Sequence, residues 1–156
     1  MAKINYNFQK KVDPKKTAKA SRRNARVSTK MAIEFSNYFK NKKLNSALII
    51  LDDIIAKKDF LPLVKYRKKV AHRKGQAKRG VPSGRYPVKT AKEIKQLLLN
   101  ARANAEEKNL DIERLKILHM YANKGVTRSK LQPLGRIGGK TRESKSTNLE
   151  VILVEE

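Results

Sequence analysis

Positive charge is the feature that most constrains this chain. Its 156 residues include 38 Lys and Arg but only 14 Asp and Glu, so the formal net charge is +24. A compact domain with so many like charges works against its own folding unless a polyanion supplies the opposite charge. The sequence therefore predicts nucleic acid as the partner.

Hydrophobic residues make up 39% of the chain, enough for one modest core and too many for a wholly disordered basic tail. There is no Cys, which excludes disulfides, a thiolate nucleophile and cysteine-ligated zinc. The longest apolar run, residues 47–51, is too short to span a membrane, and residues 1–11 lack the apolar part of a secretory signal. We expect a single soluble, intracellular domain over residues 1–156.

The basic residues are concentrated in three segments. Residues 1–30 carry ten basic and one acidic side chain, residues 57–92 carry thirteen and one, and residues 116–145 carry eight and one. The nearly neutral segments between them have clean hydrophobic periodicity, whereas the basic segments hold nearly all the Gly and Pro. This division predicts a small core that carries three basic extensions.

Hydrophobic periodicity predicts three helices. The first begins near Ser28, a residue type favoured at helix N-caps, and its apolar residues recur every fourth position. The second covers residues 44–55, whose apolar positions form one helical stripe. The third opens at Pro87 or Thr90, and the spacing of Thr90 and Glu93 predicts a capping box.

Two apolar runs near the C-terminus alternate as β-strands do. The first is expected to place Leu118 and Met120 on the face opposite Leu115, Ile117, His119 and Tyr121. The second run is residues 149–154. Residues 123–146 lie between these runs and are too many for a hairpin turn. The two strands are therefore predicted to pair and to continue outward as an arm about 30 Å long, at about 3.3 Å per residue.

The middle basic segment is predicted to bind nucleic acid. Arg can contact a phosphate through two parallel hydrogen bonds, Lys acts as a point charge, and glycines let the backbone approach closely. A solvated charged loop and a nuclear-import signal are the alternatives for this segment. Tyr66 and Tyr86 either stack on unpaired bases or attach the loop to the core. The predicted RNA-binding residues here are Lys65, Arg67, Lys68, Lys69, His72, Arg73, Lys74, Lys78, Arg79 and Arg85.

The other two basic segments are also assigned to RNA. The N-terminal segment is interpreted as an edge strand running over RNA, with a flexible basic tail as the alternative. Its predicted RNA-binding residues are Lys15, Lys16, Lys19, Arg22, Arg23 and Arg26. Charged legs with an apolar, Pro-containing tip suit an arm wedged between RNA segments, with a disordered loop as the alternative. The arm residues predicted to bind RNA are Lys124, Arg128, Lys130, Arg136, Lys140, Arg142 and Lys145.

Catalytic and metal-binding patterns are missing from the sequence. There are two His, and His119 falls in an apolar strand-like run, where a structural imidazole is expected. No His or third carboxylate is spaced with the acidic pairs as a metal set, and the glycines near Gly135 do not follow a strand and open a helix. We expect no enzyme activity, no metal and no cofactor.

Several short sequence motifs occur in a characteristic order over roughly residues 13–155. They are Leu61-Pro62, Gly84-Arg85-Tyr86-Pro87, Leu98-Leu99-Asn100-Ala101, Asn104-Ala105-Glu106, Asn109-Leu110-Asp111, residues 115–119, Asn123-Lys124 and Gly135-Arg136-Ile137. In this order the chain closely resembles the L-twenty-two family of large-subunit ribosomal proteins (L-seventeen in eukaryotic naming), in its archaeal and eukaryotic form.

The resemblance implies an α+β fold in which three helices pack on a small three-stranded antiparallel sheet, with a protruding basic β-hairpin over residues 123–146. It implies that residues 57–86 are an insertion absent from bacterial relatives. The implied partners are large-subunit rRNA, neighbouring large-subunit proteins and the nascent polypeptide, in the cytoplasm, with no membrane and no homo-oligomer. The tip implied to line the exit tunnel comprises Ser129, Lys130, Leu131, Gln132, Pro133, Leu134 and Gly135.

Two other functions fit a strongly basic chain. A DNA- or RNA-compacting architectural protein also needs high positive charge, but a symmetric dimer surface is then expected and the sequence offers no heptad seam. An RNA-processing enzyme with a basic substrate-binding face would require a carboxylate or His constellation, which the sequence lacks.

Overall fold

Three helices and two antiparallel sheets make up the described part of the protein, residues 6–74 and 80–155 of a computed structural model. The strands are β1 (Thr17–Ala25), β2 (Leu61–Pro62), β3 (Gly84–Arg85), β4 (Leu115–Leu131) and β5 (Thr141–Glu155). The helices are α1 (Thr29–Phe39), α2 (Leu44–Ile55) and α3 (Val88–Glu106). This confirms the predicted α+β class.

The main sheet has the strand order β1-β5-β4, with β5 antiparallel to both neighbours. The N-terminal basic segment is therefore an edge strand, as predicted. The turn between α1 and α2 pairs with the opposite edge, where the Asn41 N–H donates to the Ile117 carbonyl at 2.8 Å and the Ile117 N–H donates to the Lys42 carbonyl at 2.9 Å. This edge is thus shielded from pairing with other chains near Ile117.

The helices cover one face of the sheet and form the core with it. The rings of Phe35 and Phe39 stack in α1 with centroids 5.6 Å apart, and both side chains are fully buried. On α3 the small residues Ala91, Ala101 and Ala105 are also fully buried. Each large apolar side chain buried in this way contributes about 1.5–3 kcal/mol. The neutral segments therefore supply most of the largest buried side chains, while the basic segments add strands β1 and β4 and smaller core residues such as Ala18 and Ala20.

The predicted capping box at the start of α3 was wrong. The helix begins at Val88 with Pro87 as its N-cap residue, and Thr90 is buried within the first turn. Glu93 reaches across to β1 instead, where its Oε2 lies 2.8 Å from Nε of Arg22. A tertiary ion pair therefore replaces the local capping interaction. Ser28 is the N-cap residue of α1, as predicted, although its side chain makes no capping hydrogen bond.

The predicted division of β4 into two faces was also wrong. The register between β4 and β5 shifts between Ile117 and His119, which marks a β-bulge. The extra residue reverses the alternation, so Met120 and Ala122 are buried with Ile117 while Tyr121 is 38% exposed. A bulge depends on the partner strand, so alternation within one strand could not reveal it.

The first described residues cover part of the outer face of the sheet. The ring centroid of Phe8 lies 5.1 Å from that of His119, and the Asn7 N–H donates to Oε1 of Glu150 at 3.0 Å. Nε2 of His119 lies 3.4 Å from the same Glu150 oxygen, in agreement with the structural role expected for this imidazole. Burial raises the pKa of Tyr6, a hydrogen bond with Ser21 opposes the rise, and the charge of Glu150 adds to it.

Beyond the body, β4 and β5 continue as a two-stranded arm. The pairing extends from Thr127 opposite Lys145 to Leu131 opposite Thr141, so the legs form a ladder rather than a disordered loop. The tip is closed by backbone hydrogen bonds, including one from the Gly139 N–H to the Gln132 carbonyl at 2.9 Å. Gly139 has a φ of 79°, a conformation that favours glycine. The predicted arm is therefore present.

Candidate nucleic-acid interface

All three basic segments contribute to one cleft at the base of the arm, which we call the neck cleft. It has a volume of about 580 Å³. The first segment supplies Arg26 and Lys30, the middle segment Lys89, and the arm Lys124 and Lys145. Ser28, Thr29 and Ser144 add hydroxyl groups, and the other lining residue is Val27. The described lining therefore holds five cations and no carboxylate.

The neck cleft has the chemistry of a phosphate-backbone site. Its cations repel one another, and an anion placed between them relieves this repulsion. Lysines act on a phosphate as point charges, Arg26 can donate two hydrogen bonds, and hydroxyls can donate further ones. Such contacts position a nucleic-acid backbone without reading its sequence.

Sequence reasoning missed Lys30 and Lys89, which lie in the first turns of α1 and α3. A cation is unfavourable there because the helix dipole places partial positive charge at the N-terminus. Neither helix has an acidic residue in its first turn. This departure from the usual charge pattern was the signal that could have identified both lysines.

The arm is fixed to the body by a small network around Asn24. Oδ1 of Asn24 accepts hydrogen bonds from the Val126 N–H at 3.2 Å and from Oγ of Ser146 at 3.1 Å. The Asn24 N–H donates to Oδ1 of Asn148 at 2.8 Å. Asn24 has a φ of 54°, which Asn tolerates better than most residues, and it lies in the irregular part of β1. The network therefore joins all three strands where the arm leaves the sheet.

Gly125→Ala is expected to break this junction. A Cβ at this position would lie 2.6 Å from Oγ of Ser146 and 2.8 Å from Oδ1 of Asn24. We expect the free energy of unfolding to fall by about 1–3 kcal/mol, as for overpacking elsewhere, measured by urea denaturation. Ser129→Ala, a change on the exposed arm, should alter it by less than about 0.5 kcal/mol. Unchanged NMR shifts for the Asn24 and Val126 amides in the Gly125 variant would contradict this role.

The middle basic segment is anchored by a buried carboxylate. Glu34 of α1 is 1% exposed and accepts hydrogen bonds from the backbone N–H groups of Val64 at 3.2 Å and Tyr66 at 2.6 Å. At the far end of the segment, Nε of Arg73 donates to the Gly84 carbonyl at 2.9 Å. These contacts hold the segment against the body.

The two tyrosines of this segment lie under cations. Nζ of Lys30 and of Lys65 lie 5.7 Å and 5.9 Å from the ring centroid of Tyr66, and the Arg73 guanidinium lies 5.3 Å from that of Tyr86. These contacts favour the interpretation that the tyrosines attach the loop to the body over the interpretation that they stack on bases. Stacking by either residue remains a prediction.

Some of the predicted RNA-binding residues form hydrogen bonds or ion pairs within the protein, and others do not. Arg22 contacts Glu93 and Gln96, Arg73 contacts the Gly84 carbonyl, and Nε of Arg142 donates to Oε1 of Gln132 at 2.6 Å. Arg26, Lys124 and Lys145 meet in the neck cleft, while Lys65, Lys68 and Arg85 line a second cavity with Lys30. Lys78 and Arg79 lie outside the described residues. The exposed remainder includes Lys15, Lys16, Lys19, Arg23, Arg67, Lys69, His72, Lys74, Arg128, Lys130, Arg136 and Lys140, of which His72 forms a β-bridge with Ser83.

Metal-binding and membrane-spanning features are absent from residues 6–74 and 80–155. No group of three or more His, Asp or Glu side chains is arranged there to hold a metal ion. None of the helices described combines the length and the apolar character needed to cross a bilayer.

The fold and the neck cleft together define a class of protein: a small basic α+β domain with a projecting hairpin and a cleft lined by cations at its base. The family described as ribosomal protein L22p/L17e matches residues 20–154. The chain therefore belongs to this family, a structural and non-enzymatic component of the ribosome, which confirms the expectation that it is not an enzyme.

Individual relatives match nearly the whole chain. A protein of Methanocaldococcus jannaschii named large ribosomal subunit protein uL22 is 43% identical, covering 99% of this chain and 97% of the relative. Proteins of the same name from Methanosphaera stadtmanae and Ignicoccus hospitalis are 40% and 43% identical, covering 99% and 92% of this chain and 99% and 91% of their own lengths.

Proposed function

We propose that the chain is a structural constituent of the large ribosomal subunit in the cytoplasm, where it binds large-subunit rRNA and contacts neighbouring ribosomal proteins. The observation that carries this proposal is the neck cleft, in which five cations from three separate basic segments meet with no carboxylate among the lining residues. The relatives are named as proteins of the large ribosomal subunit, and this identifies the assembly in the proposal. The chain acts as one domain, residues 1–156, with residues 57–86 as its basic insertion.

We further propose that the arm reaches into the subunit and that its tip contributes to the wall of the exit tunnel. The arm presents exposed cations along both legs, and its tip also exposes apolar side chains: Leu131 is 60% exposed and Leu134 is 80% exposed. Cations on the legs suit passage between RNA segments, because each neutralises phosphate charge along its length. These two leucines contribute little to RNA binding and are available to a passing polypeptide.

A photoreactive amino acid at Leu134 tests both parts of the proposal. The tagged chain should co-sediment with the large subunit, and irradiation of translating ribosomes should crosslink the tip to the nascent polypeptide. Ile49 of α2 is the matched control, because it is a similarly exposed apolar residue (64%) on the body. Absence of the chain from the large-subunit fraction would contradict the structural role. Equal nascent-chain crosslinking from both positions, or none from Leu134, would contradict the placement of the tip.

A further inference from the structure

A third cavity lies on the outer face of the sheet, opposite the helices, and its lining differs from that of the neck cleft. It has a volume of about 610 Å³ and lies where the N-terminal segment, β1 and the base of the arm meet. Asn7, Asn24, Asn123 and Asn148 contribute to its wall, with Tyr121 and Glu150 beside them. We call it the amide cavity. Amide groups both donate and accept hydrogen bonds, so they suit a base edge better than they suit a phosphate.

The ring of Tyr121 is held in place at the wall of the amide cavity. It stacks on His119 with the ring centroids 6.1 Å apart and an angle of 16° between the planes, and Phe8 packs on His119 in turn. Tyr121 nevertheless remains 38% exposed. An aromatic ring that is fixed by its neighbours and open on one side is a stacking surface for an unpaired base.

Two amide groups of the cavity have unused donors. Oδ1 of Asn148 accepts from the Asn24 N–H, and Oδ1 of Asn123 accepts from the Lys124 N–H at 2.7 Å. These bonds fix the orientation of both side chains and leave each NH₂ group without a partner among the described residues. Acceptors on the edge of a nucleobase are suitable partners for such donors.

The charged residues of the amide cavity indicate where the base and the phosphate of a bound nucleotide would lie. The carboxylate of Glu150 belongs to the lining of the amide cavity, so a phosphate inside would be repelled. Arg23 also lines the cavity, is exposed, and pairs with no carboxylate among the described residues. The phosphate of a bound nucleotide is therefore favoured at Arg23, with the uncharged base directed inward.

We propose that the amide cavity receives one unpaired base of the bound RNA. The base stacks on Tyr121, its edge accepts hydrogen bonds from Asn123 and Asn148, and its phosphate contacts Arg23. This inference rests on the proposed binding to rRNA and adds a base-contacting site to the charge-based contacts of the neck cleft.

Tyr121 variants test the inference with deproteinised large-subunit rRNA as the probe. Alanine substitutions of stacking aromatics lower the affinity for single strands by one to two orders of magnitude. We expect Tyr121→Ala to lower the rRNA affinity about tenfold or more, and Tyr121→Phe to lower it by less than about threefold because the ring is retained. The dependence of affinity on salt should be the same in both variants, since neither removes a cation. Ile49→Ala, the exposed control on α2, should bind like the unaltered chain.

A second readout identifies the ligand directly. Ultraviolet crosslinking of the complex, followed by mass spectrometry, should find a nucleotide on the peptide that contains Tyr121. Asn123→Ala, at an exposed position, should also weaken binding and provides an independent variant if Tyr121→Ala does not fold. Full affinity in both Tyr121→Ala and Asn123→Ala, or the absence of a nucleotide from the peptide that contains Tyr121, would overturn the inference. Absence of rRNA binding by the unaltered chain would instead overturn the proposed function.

Discussion

The affinity of the chain for large-subunit rRNA is expected to fall about a thousandfold or more when monovalent salt is raised from about 50 mM to about 200 mM. This follows when roughly six to ten phosphates are neutralised together, because binding then releases that many counterions. The five cations of the neck cleft and the exposed lysines and arginines of the arm make such a number reasonable. Filter binding at a series of salt concentrations measures the slope.

The neck cleft should account for a defined part of that slope. Lys89→Gln combined with Lys124→Gln removes two of its cations, neither of which has an acidic partner among the described residues. The slope should become shallower by about 1.5, because each phosphate that is no longer neutralised reduces it by about 0.7–0.9. Lys40→Gln with Lys43→Gln removes two exposed lysines outside the basic segments and is the matched control. An affinity that does not depend on salt, or equal slopes for the two double variants, would contradict the charge-based mode of binding.

Glu34→Ala is expected to lower the free energy of unfolding by about 3 kcal/mol. Glu34 is 1% exposed, and its carboxylate accepts hydrogen bonds from the backbone N–H groups of Val64 and Tyr66. Its removal leaves both part-buried donors without this acceptor, and hydrogen bonds to a charged group contribute about 1.5–3 kcal/mol each. Urea denaturation at constant salt measures the change. Because these donors lead into the middle basic segment, the Val64 and Tyr66 amides should also exchange hydrogen faster.

Two further variants separate the charge of Glu34 from its position. Glu34→Gln keeps an acceptor oxygen but loses the charge, so its loss of stability should be about half that of Glu34→Ala. Glu107→Ala removes an exposed carboxylate at the end of α3 and should change stability by less than about 0.5 kcal/mol. Equal stability of the Glu34→Ala and Glu107→Ala variants would show that Glu34 does not anchor the segment.

The sequence predicted the elements better than it predicted their contacts. Periodicity located the helices because one face of each is buried. The apolar run at residues 149–154 identified β5 because most of its side chains are buried in the central strand of the sheet. The bulge after Ile117 was missed because it depends on the pairing of β4 with β5. The capping box was wrong because Glu93 found a partner on β1, far away in sequence.

The sequence predicted three separate basic segments as the interface. The structure shows that residues of all three line the neck cleft. Charge counts along the chain identified the basic segments, but Arg26, Lys89 and Lys124 become neighbours only through the packing of α1, α3 and the arm. The anchoring role of Glu34 was missed for a related reason. The sequence shows a carboxylate among the apolar residues of α1, but it does not show which backbone N–H groups donate hydrogen bonds to that carboxylate.

The outer arm contributes almost nothing to the hydrophobic core. From Thr127 to Leu131 and from Thr141 to Lys145 its residues are mostly exposed, and its base is held by the polar network around Asn24. Its length and tip sequence can therefore change without unfolding the body, provided that Asn24, Gly125 and Asn148 are retained. Selection on what the tip touches is consequently free to act separately from selection on folding, so related chains can diverge at the far end of the hairpin while sharing one scaffold.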